Sequence, residues 1–387
     1  MADEVRSALD DYPVVALIGP RQSGKSTLAG FLTQGMPGAI SLDLESPADR
    51  AVLVEAEAFF DAHEESLICL DEVQRLPELF PLLRHVVDGR RRNGCFLLLG
   101  SASRELIESA SESLAGRIKY IELSPFLLDE AESAGGDRVK LWMRGGFPRS
   151  LLAATERASM DWRQEFIRSF LERDLLQLRA RFLPERARRL WTMVAHGHGQ
   201  LLNKSQLAVA LDVDVHTVGS YLDILEAAFM IRRIPPFHAN LNKRLVKSPK
   251  IYVRDSGILH ALLGIPAYRD LLAHPLRGFS WEGFVMDQIL PRLQPLAQAA
   301  FYRTATGAEV DLLLELGSRR AVIEIKASSS PKLEKGFWTS LEDLKPDQVW
   351  VVAPVDRKYS LSAEKKINAV SIADLVEECR KTGWMRM

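Results

Sequence analysis

The stretch VVALIGPRQSGKSTLAGFL, residues 14–32, restricts the folds open to this chain more than any other. An apolar run leads into GPRQSGKST, which fits G-x-x-x-x-G-K-[ST], and a helical pattern begins near Thr27. Glycines let backbone N–H groups converge on an anion, and a helix amino terminus adds positive potential, so a strand, loop and helix in this order form a phosphate cradle. Gly19, Pro20, Arg21, Gln22, Ser23, Gly24, Lys25, Ser26 and Thr27 are the expected nucleotide-binding residues. Lys25 is expected to meet the β and γ oxygens, and Ser26 to hold magnesium.

Up to about Leu123, short apolar runs alternate with longer amphipathic stretches, the pattern of buried parallel strands joined by crossover helices. SLICLDEVQRL ends such a run with Asp71 and Glu72, at a strand tip where open parallel sheets bind ligands. Asp71 is expected to hold Mg²⁺ through its water shell, and Glu72 to polarise the attacking water. CFLLLGS ends in Ser101, which either touches the γ-phosphate or attacking water, or caps a helix starting near Arg104. Arg117, just before KYIELS, is either a transition-state arginine presented to a neighbouring subunit or half of a surface ion pair.

The length of 387 residues exceeds one ordinary domain. No apolar run approaches the roughly 18 residues of a membrane span, and the acidic start MADEVRSALDD is unlike a secretory leader; a cytoplasmic protein with no membrane partner is expected. Cys69, Cys95 and Cys379 are odd in number and far apart, which points to reduced thiols. His196 and His198 lack companions for a metal site and read as a loop at a domain boundary, while Trp281, Trp338 and Trp350 sit among apolar neighbours as core residues.

Taken in order, GPRQSGKST, LDEVQRLP, GSAS, SLAGRIKYIELSPF and RGGFP resemble the prokaryotic AAA+ ATPases of an archaeal-ATPase-like group that carry a C-terminal domain of uncharacterised function. FLERDL, KSPKIYVRDSGILHALLG and GAEVDLLLE with AVIEIKAS extend the likeness over nearly the whole chain. ATP and Mg²⁺ are the cofactors expected from the phosphate cradle, and the resemblance implies an N-terminal ATPase followed by a winged helix and a nuclease-like domain.

Lys204 and Ser205 open a first short helix, a turn follows near Asp212 to Asp214, and VHTVGSYLDILEA forms a second, as in a helix-turn-helix. Asp214, His216, Thr217, Ser220 and Tyr221 are expected on its exposed face, with Val218, Leu222 and Leu225 inside. The net charge of −1 hides an uneven distribution: between Phe229 and Arg254 stand Arg232, Arg233, Lys243, Arg244, Lys247, Lys250 and Arg254 with no acid among them. A basic wing of this kind suits double-stranded DNA; protein docking is the competing expectation.

In EVDLLLELGSRRAVIEIKA, period-2 alternation puts Glu309 and Asp311 on one face of a strand and Glu324 and Lys326 on one face of the next. Asp311 and Glu324 could share magnesium, Lys326 could orient or deprotonate water, and helical Glu282 would complete the site. Asp311, Glu324 and Lys326 in this spacing resemble the PD-(D/E)xK nuclease superfamily, with Val310 where a Pro usually precedes the first acid.

The expected fold class is α/β: a P-loop AAA+ ATPase domain over 1–135, a helical linker or lid over 136–195, a winged helix-turn-helix over 196–250, and a restriction-endonuclease-like α/β domain over 251–387. The expected function is Mg-dependent ATP hydrolysis acting on or with DNA, in a possible homo-oligomer. The alternative is an ATP-switched DNA-binding or protein-interaction regulator whose nuclease-like domain is inert.

Overall fold

The computed structural model describes residues 1–101, 113–175, 183–237 and 245–386, without the side chains of Ser101 and Asp174. Arg104, Lys243 and Arg244 lie outside the described residues. The chain forms two compact units, Met1–Pro125 with Ala227–Phe229, and Phe126–Glu226 with Met230–Met387. Segments 136–195 and 251–387 and most of 196–250 fall in the second.

In the first unit, β1 (Val14–Gly19), β2 (Ile40–Asp43), β3 (Ile68–Asp71), β4 (Phe96–Ser101) and β5 (Ile118–Glu122) form one sheet in the order β2-β3-β4-β1-β5. Every pairing is parallel. Side chains alternate between two cores, as the period of two requires. Val14, Ala16, Ile18, Ile68, Leu70, Phe96 and Leu98 face Phe60, Phe80 and Leu83. Val15, Leu17, Cys69, Leu97 and Leu99 face Val5 and Leu9 of α1 (Ala2–Asp11) and Ala29 and Leu32 of α2 (Lys25–Gln34). Coverage on both faces explains why β1, buried at every residue, reads as an unbroken apolar run. Each fully buried Leu or Val here contributes about 1.5–3 kcal/mol of burial free energy.

In the second unit, α3 (Lys204–Leu211) ends at Asp212, whose φ of 53° turns the chain into α4 (Val215–Ala227). Asp214 starts α4, its Oδ1 accepting from the Thr217 N–H at 2.9 Å. Val218, Leu222 and Leu225 face inward, and His216 and Ser220 are exposed. Tyr221 is not on the exposed face: three residues after Val218, it falls on the same buried stripe.

β6 (Gln200–Leu201), β7 (Ile231–Ile234) and β8 (Lys250–Val253) form a small sheet in the order β6-β8-β7. Beyond them, β9 (Gln298–Arg303), β10 (Glu309–Leu316), β11 (Arg319–Ile325), β12 (Gln348–Val352), β13 (Tyr359–Ser362) and β14 (Ile367–Val370) build a mixed sheet in the order β13-β14-β12-β11-β10-β9. The chain on either side of the β7–β8 connection leans on edge strand β9: the Phe237 N–H donates to Phe301 O at 2.7 Å, and the Val246 N–H to Arg303 O at 3.2 Å. An otherwise open sheet edge is thereby covered.

α5 (Arg277–Ile289) packs Trp281, Phe284, Val285 and Ile289 into the core that contains Leu312, Ile323 and Trp350. Trp281 and Trp350 are buried, and Trp338 packs against the core on the other face. All three cysteines are free and buried. Among the described residues no helix is long and apolar enough to cross a membrane.

Candidate active site

At the carboxyl end of β1, Gly19 adopts φ 155°, and a Cβ there would stand 2.3 Å from Leu123 O, so only glycine lets β1 turn this close to the chain leaving β5. Gly24 caps α2 in the left-handed region at φ 102°. Between them the loop encloses the Lys25 side chain, whose Nζ donates to Gly19 O at 3.0 Å and Pro20 O at 2.8 Å. Burial pulls the Lys25 pKa down to about 8, against the opposing pull of Glu72 and Asp71. Ser23 is buried in the same loop, and its Oγ has no hydrogen-bond partner. Ser26 and Thr27 are exposed at the start of α2. Arg21 lies 3.7 Å from Glu45, which also pairs with Arg75.

Asp71 ends β3 beside this loop, and its Oδ2 accepts from Ser26 Oγ at 2.5 Å. Glu72 follows in the left-handed region, at φ 54°, ψ 44°. Its N–H donates to Asp71 Oδ1 at 2.9 Å, and its carboxylate accepts from Gln74 Nε2. Burial raises the Glu72 pKa, despite the counter-pull of Arg21 and Lys25. β4 runs between β1 and β3, and its last residue, Ser101, is in register with Gly19. The Ser101 side chain lies outside the described residues.

Arg117 is not at its own chain's loop. It precedes β5, in register with the start of β1, and therefore stands at the amino-terminal edge of the sheet, about 15–20 Å of strand from the phosphate end. There its Nε and Nη2 grip Asp88 at 2.5 and 3.1 Å.

In the second unit Glu282, Asp311, Glu324 and Lys326 do come together, lining a cavity of about 420 Å³ with Glu309, Glu334 and Lys250. Asp311 Oδ2 accepts from the Ile325 N–H at 2.8 Å, which ties β10 to the end of β11. Lys326 Nζ lies 2.7 Å from Glu324 Oε1. Burial raises the Glu324 pKa to about 8, with Asp311 adding to the effect, and raises that of Glu282 to about 7. Among the described residues, no group of three or more His, Cys, Asp or Glu side chains is arranged to hold a metal ion. A lysine of the same chain stands among the acids instead: Lys250 Nζ is 3.1 Å from Glu282, 2.9 Å from Glu309 and 3.7 Å from Asp311.

This placement corrects the reading of the basic run. Lys250 is buried in an acidic pocket, Arg232 pairs with Asp287 on α5, and Arg233 pairs with Asp223 and Glu226 on α4. Arg254 is also engaged, and Lys247 is exposed. The acids missing from the run arrive from elsewhere in sequence: Asp223 and Glu226 from α4 before it, Glu282 and Asp287 from α5 and Glu309 and Asp311 from β10 after it. Sequence reading assigned Lys250 to a basic wing and missed Tyr252, whose hydroxyl donates to Glu282 at 2.5 Å. The one signal that could have singled out Lys250 is its place within the apolar strand KIYV. His198 stands in the turn before β6 and is buried there: its Nδ1 accepts from the Val253 N–H at 3.0 Å, and burial lowers its pKa to about 3.

Comparison with other proteins adds the family. Residues 11–132 match the model described as an AAA domain, while 136–269 and 277–375 match two domains of unknown function, DUF8612 and DUF4143. The uncharacterized proteins Mb2031c of Mycobacterium bovis and Rv2008c of Mycobacterium tuberculosis are each 43% identical over 361 residues, 93% of this chain and 81% of theirs. The solved Walker-type ATPase PABY2304 of Pyrococcus abyssi is similar at 17% identity and a TM-score of 0.49, over 68% of this chain and 94% of that one, too loose a likeness to bear on function. The chain belongs to the same family as these two mycobacterial proteins, with an AAA-type P-loop ATPase domain at its amino end.

Proposed function

We propose that the first unit binds ATP with Mg²⁺ and hydrolyses it, with Lys25, Ser26, Asp71 and Glu72 as the working residues. The observation that carries this reading is the 2.5 Å contact between Ser26 Oγ and Asp71 Oδ2, beside a loop whose lysine is held by two uncharged carbonyls. Two oxygens of the type magnesium takes are already adjacent, and the unpartnered Ser23 Oγ offers a further donor to a phosphate. The residues fit both groups. Gly19 to Thr27 would wrap the phosphates, Lys25 would exchange Gly19 O and Pro20 O for the β and γ oxygens, and Ser26, with Asp71 through the water shell, would hold the metal. Bound Mg²⁺ would neutralise charge developing on the phosphates. Glu72, one residue beyond and raised in pKa, takes the proton of the attacking water. Ser101, the last residue of β4, keeps its sequence-based candidacy for the γ-phosphate or that water. Arg117 serves a neighbouring subunit in a homo-oligomer. The test is Glu72→Gln: ATP binding is retained and phosphate release is lost, and normal turnover in this variant removes Glu72 from the role.

For the second unit, the reading favoured is a regulatory module whose nuclease-like pocket does not cut DNA. Lys250 among Glu282, Glu309 and Asp311 supports it over Mg-dependent cleavage by Glu282, Asp311, Glu324 and Lys326. Double-stranded DNA as partner rests on the helix-turn-helix shape of α3 and α4 and on exposed His216, Ser220 and Lys247. A protein partner is supported by the in-chain pairing of Arg232 and Arg233. Binding measured across salt separates them: phosphate contacts weaken steeply with added salt.

A further inference from the structure

Lys250 is 2% exposed and Glu282 6%, so this ammonium and this carboxylate are buried together, while the Asp311 and Glu309 side chains keep 14% and 32% of their exposure. Removing a lone ammonium or carboxylate from water costs several kcal/mol, and each is tolerable here only because the other is present. The three acids come from two directions, Glu282 from α5, and Glu309 and Asp311 from β10, with the lysine reaching in from β8. Their oxygens lie 2.9–3.7 Å from Nζ. That spacing suits an ammonium and is too wide for Mg²⁺, which needs oxygens at about 2.0–2.1 Å. A second observation points to a cation here: Glu324, on the wall of the same cavity and 5% exposed, has a buried Oε2 with no hydrogen-bond partner.

We propose that the Lys250 ammonium is the resident cation of this pocket, standing where a divalent ion would otherwise be gathered by Glu282, Glu309 and Asp311, and that the pocket takes a divalent ion only when that ammonium is removed. The inference rests on the reading that the nuclease-like pocket is inert, and supplies its cause. With Lys250 gone, the carboxylates close by about 1 Å round a smaller, doubly charged ion, and Glu324 Oε2 gains a partner.

Mn²⁺ titration of the full chain without nucleotide, followed by the electron paramagnetic resonance of free Mn²⁺, tests this. The wild type is expected to show no Mn²⁺ site that Asp311→Asn removes. Lys250→Met is expected to gain about one Mn²⁺ per chain, to melt higher when Mn²⁺ is added, and to lose both effects when Asp311→Asn is combined with it. Lys250→Gln, which keeps a polar tip, is the second variant; if both unfold, Mn²⁺ is expected to restore their helical signal. An Asp311-dependent Mn²⁺ site in the wild type, a folded Lys250 variant that takes up no Mn²⁺, or an unfolded one that Mn²⁺ does not rescue, overturns the proposal. Failure of the inert reading itself is seen separately, as metal-dependent nicking of supercoiled DNA by the wild type.

Discussion

Lys25 in the first unit and Lys250 in the second are both buried beside carboxylates, and they differ in what grips the ammonium. Lys25 donates to two neutral backbone carbonyls. Burial dominates there and draws its pKa down to about 8. Lys250 is also pushed toward neutrality by burial, but Glu282, Asp311 and Glu309 together outweigh it and hold the amine charged far into the alkaline range. A neutral grip can be exchanged for a phosphate without stranding a charge, whereas withdrawing the Lys250 ammonium leaves the buried Glu282 without a counter-charge, even though Glu309 keeps Arg303. One lysine is arranged to change partners, the other to stay.

The contrast is broken most sharply by hydrolysis itself. Glu72→Gln is expected to reduce phosphate release by about 10²–10⁴-fold with ATP still bound; Lys250→Met is expected to leave that rate intact in whatever fraction folds. Stability should sort the two lysines in the opposite direction. In metal-free buffer Lys250→Met is expected to lose about 3–5 kcal/mol in denaturant unfolding, because the buried Glu282 loses its counter-charge, while Lys25→Met stays close to the parent. An equal loss in both would mean that the phosphate loop, too, leans on its lysine for folding.

Nucleotide affinity sharpens the same point. Lys25→Met should weaken ATP by about 1.5–3 kcal/mol, roughly 10–150-fold, the worth of a charge-assisted contact, whereas Lys250→Met should not change it. The pH dependence follows in sign: ATP favours the protonated amine and raises its pKa, so affinity is full below about pH 8 and falls about tenfold per unit above it. Isothermal titration at pH 7, 8 and 9 reads this directly, and Lys25→Met should be flat across the series. The smallest effect is expected at Arg117, whose partner Asp88 is exposed. Arg117→Ala should leave the melting temperature unchanged, and should lower ATPase activity per subunit only at concentrations where subunits associate.

Much of the first site was legible because its parts are local. Gly19, Gly24, Lys25 and Ser26 are set by spacing within one loop, and Asp71 and Glu72 follow an apolar run that must end at the sheet's rim. The order of the strands was not legible, since nothing in the sequence says that β4 enters between β1 and β3. In the second unit, period-2 alternation was enough to bring Asp311, Glu324 and Lys326 to one pocket. Lys250 was misread because its partners lie 32 to 61 residues further along the chain. A charge run shows what is absent nearby, and says nothing of acids folded in from elsewhere. Tyr221 was placed on the exposed face, but its helical position, three after Val218, puts it on the buried one.

The backbone at Glu72 is the last point of contrast with an ordinary turn. A carboxylate-bearing residue in the left-handed region gives up about 1–2 kcal/mol that glycine would keep. A chain shaped only for durability would have glycine at that corner, and Glu72→Gly should make a tougher protein and a silent one. On the proposed role of Glu72, the awkward corner is where longevity yields to turnover.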